Sequence, residues 1–453
     1  MPQAIPHNLV AQTWSGPLEP SASVPEAADV VVIGGGIVGI STAWFLARQG
    51  IDVVVCEKGH VAGEQSGRNW GWVRQQGRDT RELPMIVESL RIWRQLGDAI
   101  GEDVGFREQG ILYLIEDNRQ FERYAAWMIA AEDYGIGTRL IEGEELKGLV
   151  RGSTVRWRGA LYTASDGRAE PHKATPALAR AAAREGATVL SACAVRGIES
   201  SAGRVSAVVT EHGTIRTSTV LCAAGAWTSM FCRTLGITVP QLRVRGTVAR
   251  TAPANTVVCD GSMAGARVAL RRRLDGGYTL AHGTTLEHPI TPSTIRFGPR
   301  FLPAALMERR NLRLSLGAPF LEEWSTPKRW PLDEPSPFEQ CRVLDPRPND
   351  GILRRIRRDT DALFPDLAGV PIVESWAGMI EMTPDVIPVI DQADALPGFF
   401  VATGFSGHGF GIGPGAGKAI AGLLTGDGSG LDLHEFRLGR FFDGTPIRPQ
   451  TSV

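Results

Sequence analysis

The stretch Asp29–Lys58 constrains the fold of this chain more than any other. Val30 to Ile33 is a short, β-branched, apolar run of the kind found in a central parallel strand buried on both faces. Gly34, Gly36 and Gly39 follow with G-x-G-x-x-G spacing. In that pattern the first glycine makes the tight turn and the second lets a pyrophosphate approach the backbone. The third lets the next helix pack closely on the strand. Ile37 to Gln49 has helical spacing, and Gly50 stops it. The first turn of this helix, Ile37 and Val38, offers free N–H groups and a positive dipole end to phosphates. Val53 to Cys56 is a second buried strand, closed by Glu57. Glu57 stands about 20 residues beyond the glycines, where a ribose hydroxyl requires an acid. The stretch therefore predicts a dinucleotide site on an α/β fold, without deciding which dinucleotide.

With 453 residues, the chain is long enough for two domains. Forty-eight Lys and Arg against 49 Asp and Glu give a net charge of −1, and nothing in this balance suggests a nucleic-acid partner or an anionic membrane. Two arginine-rich patches, Arg271 to Arg273 and Arg354 to Arg358, read first as solvated faces. In the second, isoleucines four apart leave the arginines on the rest of a helix. The six cysteines form no C-x-x-C pair and read as reduced thiols; no metal-ligand cluster is visible among them or the eight histidines. The N-terminus does not read as a signal peptide and no apolar run reaches the length of a membrane span, so the expected location is the cytoplasm.

Residues 1 to 28 read as an extended arm rich in Pro, Ser and Ala, with Trp14 as an anchor. After Glu57 and Lys58, a loop dense in Gly, Trp and Arg runs from Glu64 to Gln76. It includes Ser66, Arg68, Asn69 and Arg74, and its tryptophans require a packed setting. Leu83 to Ile100 reads as an amphipathic helix, Gly110 to Ile115 as a strand, and Asn118 to Tyr134 as a helix. Thr175 to Glu185 reads as a helix capped by Thr175 with Pro176 in its first position. Arg204 to Glu211 and Thr214 to Leu221 are expected to pair as a hairpin. The second of these runs into Cys222-Ala223-Ala224-Gly225-Ala226-Trp227, small residues that let a ligand approach a backbone. Val268 to Leu274 and Tyr278 to His282 flank Asp275-Gly276-Gly277, a hairpin signal. The strand Phe399 to Ala402 leads into Gly404-Phe405-Ser406-Gly407-His408-Gly409-Phe410-Gly411 and on to Gly417, with a helix to Thr425. This reads as a second glycine-rich turn, suited to holding one long ligand from its other end.

The three blocks G-x-G-x-x-G with Glu57, Leu-Cys-Ala-Ala-Gly-Ala-Trp, and Gly-Phe-Ser-Gly-His-Gly-Phe resemble the D-amino-acid-oxidase-type family of FAD-dependent oxidoreductases. The resemblance covers roughly residues 29 to 430. Members include sarcosine oxidases, glycine oxidase, γ-glutamylputrescine oxidoreductases and the flavoprotein subunits of opine and hydroxyproline dehydrogenases. The arm and Ser66-Gly67-Arg68-Asn69 resemble the γ-glutamylputrescine and opine groups.

The resemblance implies a discontinuous Rossmann-like FAD domain (29–83, 151–240 and 340–430). It also implies a substrate domain with a mainly antiparallel sheet (84–150 and 241–339) and a C-terminal tail (431–453). FAD would meet Gly34, Gly36 and Gly39 at the pyrophosphate, Glu57 at the ribose and the Val195 backbone at adenine. Lys58, Ser66, Arg68 and Asn69 would border it, as would Ala224, Gly225 and Trp227. Gly404, Gly407, His408, Gly409 and Gly411 would face the flavin ring. Arg74 matches the arginine that pairs with a substrate carboxylate, His408 the flavin-side histidine and His282 a second pocket histidine, while Trp376 would wall the pocket. Gly411 stands where sarcosine oxidase has a carboxylate-gripping lysine. No cysteine stands near Gly378, the position of the covalent flavin link, so non-covalent FAD is expected. Tyr278 falls near the lysine that helps oxygen react, which favours a dehydrogenase with another electron acceptor.

The implied activity is oxidation of the C–N bond of an amine or amino acid, with secondary, cyclic or opine-like substrates favoured. The rival readings are a 2-hydroxy-acid oxidoreductase and a flavin-bearing subunit of a hetero-oligomer.

Overall fold

The computed structural model describes residues 23–428 and 430–450. Trp14 and most of the expected arm lie outside these residues. Within them, Ala28 N–H donates to Arg216 O at 3.0 Å, tying the start of the described chain to the body.

A six-stranded sheet has the order Val389–Gln392, Phe399–Thr403, Val220–Cys222, Val30–Ile33, Val53–Cys56, Thr188–Leu190. All neighbours are parallel except the first pair. Val30–Ile33 lies near its middle, buried on both faces as its unbroken apolar run requires. A ten-stranded, largely antiparallel sheet contains Leu242–Thr251, which pairs along its full length with Ile372–Met382. Two three-stranded sheets complete the fold. One of them joins Trp72–Val73, Gly167–Arg168 and Arg107–Glu108, fixing the tryptophan-rich loop to the body.

Sheet membership cuts across the domain limits expected from sequence. Gly159–Thr163 and Ile372–Met382, placed on the cofactor side by sequence, are strands of the ten-stranded sheet. The helix Leu83–Ile100, placed on the substrate side, packs on the closing helix Gly409–Thr425.

Three local expectations are corrected. The helix expected from Thr175 begins at Pro171, which takes the first-turn position, and Pro176 lies inside it. Thr214 to Leu221 is not one hairpin strand. Gly213–Arg216 pairs antiparallel with Arg204–Thr210, then Val220–Cys222 joins the six-stranded sheet, with Thr217 bonding Asp29 O at the switch. Arg271 and Arg273, expected to face solvent, are buried because strand periodicity turns alternate residues to one face. There Arg271 donates to Ala169 O at 2.9 Å and Glu170 at 3.0 Å. Burial alone would raise the Glu170 carboxyl; Arg271 and Arg273 instead hold it at about 2. Arg354, Arg355 and Arg358 are exposed on the helix Asp350–Leu363, as expected, while Leu353 and Ile356 are buried.

The glycines from Gly413 to Gly417 serve helix packing rather than a turn. Gly413 and Gly417 face the helix Ile37–Ala47: an added Cβ would lie 2.8 Å from Ile37 and 2.4 Å from Ser41. Gly415 faces the other neighbour, where a Cβ would lie 2.4 Å from Met85 O. Pro414, inside the same helix, lacks an N–H and disturbs the local ladder. Ser89 repairs it, donating to Gly411 O at 2.7 Å and accepting from Gly415 N–H at 3.1 Å, while Trp93 Nε1 also donates to Gly411 O at 2.9 Å. Ser89→Ala should therefore cost about 1–3 kcal/mol, the price of orphaned buried backbone groups. A thermal melt of the purified variant checks this; an unchanged midpoint would show that the stitch is dispensable.

Candidate functional site

One long cleft runs from the C-terminal end of Val30–Ile33 to the ten-stranded sheet, lined by both glycine-rich segments. At one end, Gly34 has φ +113°, and a Cβ there would lie 2.5 Å from Ala223 O, so the turn admits only glycine. A Cβ on Gly39 would strike Gly34 O at 2.2 Å, which is the close helix–strand packing expected of the third glycine. Glu57 accepts from Gly35 N–H and Gly59 N–H, both at 2.7 Å, and so stands fixed beside the glycine turn. Ser66 Oγ accepts from Ile37 N–H at 2.9 Å at the start of the first helix. Asn69 pins this loop, donating to Ser66 O at 2.8 Å and accepting from Gly71 N–H at 2.7 Å.

Lys58 Nζ lies 4.4 Å from the centre of the Trp227 ring and donates to Glu64 at 2.8 Å; Trp227 Nε1 donates to the same carboxylate at 2.9 Å. Val195, Ala224 and Gly225 line the same end. Arg68 lines the cleft too, but its guanidinium is committed to Asp345, Gly63 O and Ala377 O, so it clamps the loop to strand Ile372–Met382.

A fixed acid, a bare glycine turn and a helix N-terminus form a cradle that fits the adenosine and pyrophosphate of FAD. Gly407 to Gly411 line the middle of the cleft, close to Gly378 and Ile380. That region fits the flavin ring: the closing helix starts there and presents its N-terminal dipole end. Gly404 lies outside the lining and has a structural reason: φ is +74°, and a Cβ would lie 2.2 Å from Thr383.

Beyond the ring position the cleft meets Arg74, His408, Trp70, Trp72 and Tyr113. Asp166 holds the Arg74 loop by accepting from Gln75 N–H at 2.7 Å and Gln76 N–H at 3.0 Å. Burial pushes the Asp166 carboxyl up to about 6 against those two bonds. Arg74 lies over the Tyr113 ring at 5.5 Å and donates to Gln76 O.

Three groups in or beside this end were not singled out from sequence. Arg78 bonds Arg74 O at 3.1 Å and His408 O at 3.5 Å, so one guanidinium ties both segments together. Burial, with Arg74 beside it, brings Arg78 down to about 9. Glu82, fully buried, lies 3.1 Å from His408 Nδ1. Burial lowers His408 to about 4, while His408, Arg78 and Arg74 outweigh burial at Glu82 and hold it ionised. The pair is therefore neutral imidazole and carboxylate, with the proton on Nδ1 directed at Glu82. Glu381 lines the cleft beside Gln65, and burial raises it to about 7. Nothing local in the sequence marks Arg78, Glu82 or Glu381, whose character comes from burial.

Besides Gly39 and Gly404, three residues expected on the substrate side are not brought to the cleft wall. Tyr278 is buried in the other core, its hydroxyl bonded to Val258 N–H at 3.0 Å and Thr256 O at 3.1 Å. His282 caps a turn through Thr285 at 3.1 Å and faces Arg355 and Asp359. Trp376 stands one layer back, packed on Trp70 and Val248, with Nε1 donating to Arg68 O at 2.8 Å. Tyr278 is turned into the other core by its strand, and His282 lies just past the strand's end. Among the described residues no group of three or more metal ligands occurs, and no helix is long and apolar enough to cross a membrane.

His408 should stay neutral between pH 8 and pH 5.5, because its folded value lies well below the ordinary range of about 6.5. Imidazole nitrogen shifts in a ¹⁵N-labelled sample check this; titration near 6.5 would contradict the buried pairing.

A family model described as FAD dependent oxidoreductase matches residues 29–423. The L-amino acid deaminase from Proteus myxofaciens, solved in complex with anthranilate, superposes with a TM-score of 0.90 at 33% identity, over 93% of this chain and 95% of that one. L-proline dehydrogenase from P. horikoshii gives 0.77 at 25%, over 94% and 100%. Human mitochondrial sarcosine dehydrogenase is 26% identical over 95% of this chain, which spans only 43% of that longer protein. The beta subunit of an Arthrobacter sarcosine oxidase is 24% identical over 95% of this chain and 94% of its own length. With the model match running from the first glycine-rich turn through most of the closing helix, the chain belongs to the DAO family of FAD-dependent oxidoreductases.

Proposed function

We propose that the chain oxidises the C–N bond of an α-amino acid, with primary and N-substituted or cyclic amines as the substrate class, and holds its FAD without a covalent link. The observation that carries this reading is Arg74, set on a rigid loop at the flavin end of the cleft, beside a neutral His408 and three aromatic rings. Relatives named for L-amino acids, L-proline and sarcosine all act on amino carboxylates, and these names support the same class.

Bound flavin supplies the two-electron acceptor for the α-hydrogen and its electron pair. The protein binds and orients. Arg74 offers parallel N–H donors to a carboxylate, which fixes both position and rotation of the α-carbon. Arg74 and Arg78 together disfavour an ammonium nearby and so favour the free amine, the form whose α-hydrogen can leave as hydride. Neutral His408 adds no competing charge. Trp70, Trp72 and Tyr113, in edge contact at 5.5 and 6.1 Å, exclude water from the reacting end. The resulting imine is hydrolysed by water.

No cysteine stands at Gly378, which supports non-covalent FAD. Among the described residues lining the cleft, the one lysine is Lys58, held by Glu64, Cys341 O and Arg342 O. This supports transfer to an acceptor other than oxygen. Relatives named as sarcosine oxidase beta subunits support a second reading, in which the chain works within a hetero-oligomer. An isolated chain that turns over amino acids on its own would remove that reading.

Arg74→Lys should raise KM for an amino acid about ten-fold or more, with a smaller change in kcat, since a point charge replaces a bidentate fork. Steady-state kinetics with an artificial acceptor check it. Equal KM values would place the carboxylate elsewhere.

A further inference from the structure

The most unusual surface of the molecule lies far along the chain from the cofactor motifs. Strand Leu286–Pro289 starts at the cleft wall, since Leu286 lines it. The helix Pro292–Met307, edge strand Leu312–Ser315 and helix Ala318–Ser325 follow. The first helix buries Phe297 and Phe301 against Leu242. Its outer face leaves Ile295 70% exposed, with Leu302 and Leu306 about two and three turns further along. The edge strand and the loop after it expose Leu314 and Leu316 on one side of the pleat, and the last helix exposes Leu321 and Trp324, the latter 74% open. These elements are joined. Ser293 N–H donates to Glu323 at 2.8 Å, bringing the second helix to the start of the first, and Ile290 N–H donates to Ser315 O at 2.8 Å.

Seven large apolar side chains exposed within thirty residues form a surface that single scattered leucines do not explain. Its charge is one-sided. Residues 292–329 carry seven Lys and Arg against three Glu. Two of those acids are occupied: Glu323 by Ser293, and Glu308 by the Asn311 amide. The exposed Arg309 and Arg313 spend hydrogen bonds on the carbonyls of Leu306 and Arg310, not on carboxylates. The face thus combines aliphatic side chains, one exposed indole and a net-positive fringe.

We infer that this helix–strand–helix face is a peripheral docking surface for an anionic lipid membrane. Leucines and the indole would enter the acyl boundary, and the arginines would meet headgroup phosphates. Charge decides the occupant: a second copy of the same net-positive face would be repelled, and a neutral apolar partner would leave its excess of four positive charges unmatched. The surface joins the cleft through Leu286, and none of its exposed apolar residues lines the cleft.

The test is sedimentation of the FAD-loaded full chain with phosphatidylcholine vesicles and with vesicles containing phosphatidylglycerol. Binding is expected only to the anionic vesicles, and it should weaken as salt rises. Leu321→Glu with Trp324→Glu, both at exposed positions, should weaken partitioning about ten-fold or more. Arg309→Glu with Arg310→Glu should do the same, with flavin content and melting temperature unchanged. Absence of binding to anionic vesicles would overturn the inference, and so would equal binding to both vesicle types. A concentration-dependent dimer broken by the Leu321/Trp324 variant would assign the face to self-association instead.

Discussion

Everything at the site depends on how closely the first and last helices of the cofactor-binding layer approach. Gly413 and Gly417 let the closing helix lie directly on Ile37 and Ser41, with no room for even a methyl group. That contact brings the starts of the helices Ile37–Ala47 and Gly409–Thr425 to one cleft. One end then presents Gly34, Gly36 and Glu57, and the other presents His408 to Gly411. Dispersion contacts of this kind are individually small, but they are short, numerous and rigid, which a two-ended cofactor site needs.

Rigidity is then passed outward through buried polar ties. Ser89 and Trp93 secure the closing helix where Pro414 interrupts it. Arg78 links the Arg74 loop to His408, and Trp127 Nε1 holds Arg78 O at 2.7 Å. Asp166 fixes Gln75 and Gln76 from across the fold. Arg74 is therefore a preorganised side chain on an anchored loop rather than a mobile surface cation. Such positioning favours orientation of a substrate over its mere capture.

The cofactor half of the site was legible because its determinants are local. A strand, a glycine turn and an acid at fixed spacing describe one continuous unit, and Gly34, Gly39 and Glu57 occupy the places the spacing implies. The parallel sheet around Val30–Ile33 followed from the same apolar runs. The substrate half was less legible because its walls come from strands whose register is set by long-range pairing. Tyr278 and His282 lie on a correctly expected hairpin, yet they point away from the cleft, and Trp376 lies one layer behind it. Glu82 and Glu381 acquire their character only from burial, which no short motif encodes. The later glycines misled in another way: helix-packing glycines and turn glycines look alike in sequence, and only the positions of Ile37, Ser41 and Met85 separate them.

The central claim is that amino carboxylates reduce a flavin held in this cleft. Its most direct test is the visible spectrum of the purified protein under anaerobic conditions, before and after adding L-amino acids, cyclic amino acids and N-methyl amino acids. The account predicts a flavin spectrum that bleaches with one of these classes and persists with the matching 2-hydroxy acids. Bleaching by a hydroxy acid but by no amino acid would contradict it.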